Sequence, residues 1–113
     1  MKVLMIPDEG EPYISKIPNT LQSFQDRVMG FIETVRLKGK RIMIVNEEGK
    51  IRDFKLNKNA TRLYRQATHD IADRIVGQAF VTYEDDSGED FTDLPDEDIS
   101  ELLRDLGLEK ANV

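Results

Sequence analysis

Along the chain, apolar positions fall into short runs with two different periods. Residues 2–6, KVLMI, form a continuous apolar run that stops at Pro7, and 12–17, PYISKI, alternate in polarity. With the turn-rich PDEGEP between them, these two predict strands joined by a loop. Leu21, Phe24 and Val28 then recur at helical spacing, with Asn19 as a cap before them and Gly30 as the stop, so a helix is expected over about 20–29. Residues 31–37, FIETVRL, and 41–46, RIMIVN, read as strands around a Lys38-Gly39-Lys40 turn. The loop NEEGK (46–50), with Gly49 in a left-handed conformation, predicts a hairpin into a further strand over 51–56.

Residues 57–67 offer asparagine caps followed by Ala60, Leu63, Tyr64 and Ala67, the pattern of a short helix. A long strand over 73–84 with a bend at Gly77 follows. Ile99, Leu102, Leu103 and Leu106 then stand at i, i+3, i+4 and i+7, the apolar stripe of an amphipathic helix that Gly107 ends. Pro95 suits its first turn, and Asp96, Glu97 and Asp98 favour the positive end of its dipole. Such an order predicts an α+β fold: a small, mainly antiparallel sheet covered by a helix after the second strand and by a C-terminal amphipathic helix. A single compact domain over 1–113 is expected, with 84–113 forming an acidic turn plus that last helix.

Charge divides this picture in two. Residues 84–113 hold twelve acids against Arg104 and Lys110, while 36–65 hold ten bases against three acids, within a chain whose net charge is −6. The acids are densest in YEDDSGEDFTDLPDEDI (83–99), which admits three readings. As a calcium loop it fails: Gly88 at position six puts Tyr83 at position one and Leu94 at position twelve, where acidic ligands belong. A looser carboxylate site of Asp85, Asp86, Glu89 and Asp90 competes with a solvated turn in which Gly88 takes a positive φ and Phe91 and Leu94 anchor the chain. The turn is the simpler reading, and neither a metal nor a cofactor is expected. The third reading is a surface that imitates a nucleic-acid backbone and occupies a partner's cationic groove.

Composition narrows the function further. With no cysteine, disulfides, thiol catalysis and thiolate zinc sites are excluded, and a reducing cytoplasm is expected. No apolar run is long enough for a signal peptide or a membrane span, so no membrane partner is expected. His69, the only histidine, precedes Asp70 and could form a general base with it, but no nucleophile motif accompanies the pair. A capping or surface histidine is the plainer account. No phosphate-loop, dinucleotide or hydrolase motif occurs, and the chain is not expected to be an enzyme.

Two binding surfaces therefore stand as candidates. One is acidic: Asp85, Asp86, Glu89, Asp90 and Asp93 with the outer face of 96–105, expected to meet a protein partner. The other is basic, with Lys38, Lys40, Arg41, Arg52, Lys55, Arg62 and Arg65 set to bind nucleic-acid phosphates, and Phe54 and Tyr64 interleaved for stacking.

The segments KVLMI, IPNTLQSFQDRVMGFIETVRL, NEEGK, IVGQAFV and GEDFTDLPDEDI, in this order, resemble a family of small proteins classed as a domain of unknown function, found in bacteriophages and conjugative elements of bacteria. In that family the position of Pro95 is more often a Ser or Thr suited to capping. The resemblance implies no activity and no catalytic residue. It implies a setting in which small acidic accessory proteins bind host machinery, defence nucleases included.

Overall fold

In the computed structural model, which describes residues 1–108, the chain forms one antiparallel sheet with helices on both faces. The elements run β1 (Lys2–Ile6), β2 (Tyr13–Lys16), α1 (Leu21–Val28), β3 (Ile32–Arg36), β4 (Arg41–Asn46), α2 (Lys58–Thr68), β5 (Ala79–Glu84), β6 (Phe91–Thr92) and α3 (Asp96–Asp105). Strand order is β2-β1-β5-β4-β3, with β6 paired to the far end of β5. The expected α+β fold is therefore present. Glu109 and Lys110, counted with the acidic end, lie outside the described residues.

Alternation along the strands sorts the core into two layers, because successive side chains point to opposite faces of a sheet. Val3, Met5, Ile42, Ile44 and Phe80 meet Phe24 and Val28 of α1 on one face. Leu4, Ile6, Met43, Val45, Ala79 and Val81 meet Ala60 and Leu63 of α2 and Ile99, Leu102 and Leu106 of α3 on the other. Coverage on both faces is why all six residues of β4 are buried and why its sequence reads as a run rather than an alternation.

Two expected strands are corrected. Residues 51–56 do not pair with β4, because β4 already bonds β3 along one side and β5 along the other and has no free edge. They form turns instead, with Asp53 at φ 58° and one bridge from Leu56 to Val76. Gly49 does not take the left-handed conformation expected of it; Asp53 does. The long strand over 73–84 shortens to Ala79–Glu84. Gly77, at φ +79°, breaks it as the sequence suggested, and a Cβ there would come within 2.7 Å of the Phe54 ring.

The caps also shift by a residue. Thr20, not Asn19, caps α1 by accepting the Ser23 N–H, and Asn19 donates to the Phe91 carbonyl instead. Met29 rather than Gly30 takes the left-handed cap of α1. Pro95 stands one position before the first turn of α3 and offers no side-chain cap, so Asp96 opens the helix.

The residue that holds most of this together is Asn57. Fully buried, it donates from Nδ2 to the carbonyls of Ile6 and Gly77, both at 2.8 Å, and accepts the Ala60 N–H on Oδ1 at 3.0 Å. One amide thereby caps α2 and ties it to the end of β1 and to the bend before β5. The sequence predicted the cap and not the two further bonds.

Candidate partner-binding surface

One end of the sheet gathers the turn between β3 and β4, the turn between β5 and β6, and the start of α3. β5 and β6 are joined by residues 85–90, and Asp85 shapes that turn: its carboxylate accepts the N–H groups of Ser87 and Gly88 at 3.0 and 3.1 Å and the Ser87 hydroxyl at 2.6 Å. These bonds, led by the hydroxyl, hold its pKa below the usual aspartate range. Gly88 supplies the positive φ that the turn needs, and Phe91 and Leu94 pin its exit to the core, Phe91 against Phe24 at 5.7 Å and Leu94 wholly buried.

The acidic and basic segments of the chain meet at this end. Arg36 pairs with Glu84 at 2.7 Å, Lys40 with Asp86 at 2.9 Å, and Lys2 with Asp96. Arg41 opens β4 with its side chain only 7% exposed and binds two carboxylates of α3, Asp98 at 2.7 Å and Glu101 at 2.9 Å. Burial acts to lower the Arg41 pKa, yet the two carboxylates outweigh it and the net shift is upward. Glu101 is correspondingly held below the ordinary glutamate range by its bond to Arg41.

All five acids predicted for the acidic surface lie on this end, but they do different things. Asp85 shapes the turn, Asp90 accepts from the Phe91 N–H and from Asn19, and Asp93 accepts the Lys2 N–H at 2.8 Å. Asp86 is exposed and joined only to Lys40. Glu89 projects without a side-chain partner among the described residues, and so does Glu97, which the prediction included only as part of the outer face of α3. Of the ten acids from Glu84 to Glu101, five are ion-paired, and Asp85, Glu89, Asp90, Asp93 and Glu97 make no ion pair among the described residues. What results is an internally hydrogen-bonded surface with excess negative charge. Among the described residues no three potential ligands converge to hold a metal.

A family model for a domain of unknown function, DUF3846, matches residues 1–107, from before β1 to beyond the end of α3. The chain belongs to the DUF3846 family. Neither a curated protein nor a solved structure matches it.

The seven bases predicted as a nucleic-acid surface are dispersed in this DUF3846 chain. Lys38, Lys40 and Arg41 lie at the acidic end of the sheet, where Lys40 and Arg41 serve as counter-ions. Arg52 lies at the opposite end, lending its guanidinium to the Met29 carbonyl at 2.7 Å and stacking over Phe54 at 4.7 Å. Lys55 pairs with Glu9 at 2.5 Å. Arg62 and Arg65 stand on the exposed side of α2, near Lys58 and Arg74, two bases that the prediction did not include. Helical spacing from Lys58 would have found the first of these; Arg74 is brought in only by the fold.

The side chains of His69 and Asp70 in the DUF3846 chain share no hydrogen bond. His69 is the left-handed cap of α2 at φ 62°, its N–H bonded to the Arg65 carbonyl. Asp70 accepts the Tyr64 hydroxyl at 2.5 Å and the Ala72 N–H at 2.9 Å. The Tyr64 bond draws the Asp70 pKa down and raises that of Tyr64.

Proposed function

We propose that the chain is a non-enzymatic accessory protein of a phage or mobile element that acts by binding a protein partner of the host or of the element, through the acidic end of its sheet. The observation that carries this reading is the uncompensated charge. Among the described residues five carboxylates remain without an ion pair, on α3 and on a turn already fixed by Asp85 and anchored by Phe91 and Leu94. A surface ordered before it meets its partner loses less entropy on binding, and its field speeds encounter with a cationic face. The complementary partner is a protein with a basic groove, of which a nuclease acting in defence is one type. The mobile-element setting rests on the family resemblance. A cytoplasmic location suits the absence of cysteine, and no described helix is long and apolar enough to cross a membrane.

The test uses Glu89→Lys/Glu97→Lys, because neither side chain makes an internal bond. Tagged wild type in nuclease-treated bacterial lysate should retain a stoichiometric protein that the double variant loses, with circular dichroism unchanged and the melt lowered by only a few degrees as Glu97 leaves the positive end of the α3 dipole. Equal retention by both would remove the acidic surface as the site.

A further inference from the structure

The outer side of α2 carries a groove of about 580 Å³ that the acidic surface does not use. Leu56 and Thr61 contribute to its floor, and four cations surround it: Lys58, Arg62 and Arg65 from the helix and Arg74 from the segment before β5. No carboxylate lines it, in a chain with 22 acids and a net charge of −6. By contrast, the hollow beside β3 and β4 is lined by Glu33, Glu47 and Asp73.

Nearby acids are committed elsewhere. Asp70 is taken by Tyr64, and Asp73 is ion-paired with Lys50 while also accepting the Arg74 N–H at 2.8 Å, so of the four cations Arg74 is the one partly offset by a carboxylate. Arg65 is steadied by a neutral acceptor, the Asp73 carbonyl at 3.1 and 3.2 Å, which orients the guanidinium without cancelling its charge. Lys58 and Arg62 are exposed and have no side-chain partner among the described residues. Lys58 is also the first residue of α2, whose first turn holds no acid, so a cation sits at the positive end of the helix dipole. In the free protein these charges repel one another. An anion in the groove relieves that repulsion.

Residues 58, 62 and 65 fall on one helical stripe, and seven residues of rise span about 10 Å. Neighbouring phosphates along an extended single strand lie further apart than the axial rise of a duplex, so the stripe is long enough to meet two or three of them. Leu56, 41% exposed, offers an apolar contact for a base, and the guanidinium planes of Arg62, Arg65 and Arg74 are the groups there that can stack on one. We propose that this groove binds single-stranded nucleic acid, with Lys58, Arg62 and Arg65 tracking the phosphates and Arg74 closing on them from the other wall. The site is independent of the acidic surface.

Fluorescence anisotropy with a labelled oligothymidylate tests it. Wild type should bind at 50 mM salt with a log–log salt slope near −3, four phosphate contacts at about 0.7 each. Lys58→Ala/Arg62→Ala removes no internal bond and should reduce that slope by about 1.4 and weaken binding at least tenfold, with unchanged circular dichroism. Lys38→Ala, at the far end of the basic run, should change the affinity less than twofold. The proposal is overturned by absence of binding at 50 mM salt, by equal binding of the double variant, by a preference for duplex, or by thymidine monophosphate competing as well as the strand per phosphate. Retention of the acidic-surface partner by Lys58→Ala/Arg62→Ala separates failure here from failure of the first reading.

Discussion

Asn57 shows how much a single buried amide can carry. Its three bonds satisfy two carbonyls and one N–H that have been withdrawn from water, and removing the side chain strands both carbonyls and uncaps α2. Each stranded group costs about 1–3 kcal/mol and a lost cap about 1. Asn57→Ala should therefore cost about 3–7 kcal/mol in urea denaturation. Asn57→Asp, which keeps the cap acceptor but cannot donate, should recover little of that loss. Arg41 is the second such residue. Arg41→Ala leaves Asp98 and Glu101 facing each other without their shared cation, and a loss of about 2–4 kcal/mol is expected for a guanidinium this well buried. Because Glu101 titrates lower in the folded chain than in the unfolded one, its contribution is present at neutral pH and vanishes as pH falls through the folded value. The gap in stability between wild type and Arg41→Met should accordingly shrink from about pH 5 toward pH 3, the carboxylate range, in denaturation series across that interval.

At the scale of elements, periodicity was legible wherever a segment had one face to bury. α1, α3 and the paired β1 and β2 follow from apolar spacing, and the turn at 85–90 from Asp, Ser and Gly chemistry. What the sequence could not show is which strand edges were already occupied. Residues 51–56 have the composition of a strand, yet β3 and β5 fill both sides of β4, so the segment turns and carries Arg52 back to the end of α1. Segment 73–76 failed for a similar reason, since Ile75 exchanges two hydrogen bonds with the Thr61 hydroxyl of α2 instead of joining the ladder. The candidate site was half legible: the acids are local in sequence and stay together, whereas the bases scatter because a loop, a strand end and a helix divide them. Gly77 makes the element-scale prediction. Gly77→Ala combines a left-handed φ with a Cβ pressed to 2.7 Å from Phe54, and should lower stability by well over the ~1 kcal/mol of an ordinary Gly→Ala change, with the loss seen as a reduced unfolding midpoint.

Taken whole, the molecule is polar in charge as well as in shape. Apart from those of Arg41, the ion pairs to the acidic end, from Lys2, Arg36 and Lys40, lie at the surface, and such pairs contribute about 0–1 kcal/mol each. Raising salt from about 50 to 500 mM screens them together with the repulsion among the unpaired carboxylates. Thermal unfolding should therefore move by only a few degrees over that range, while binding at the acidic end should weaken steeply. A calorimetric melt beside a binding isotherm at each salt concentration would show the two responses part company.

The position of β5 has a consequence for synthesis. Its ladder to β1 and its ladder to β4 are the seam of the sheet, joining Leu4 to Val81 and Ile44 to Phe80. Until the ribosome has released the chain past residue 84, the emerging protein can pair its strands only as two separate hairpins, each marginal alone, whose inner edges lack the strand that will cover them. Such edges invite pairing with other chains. Folding of this sheet is thus a late event in translation, completed by the strand that enters its centre and not by the one that begins it.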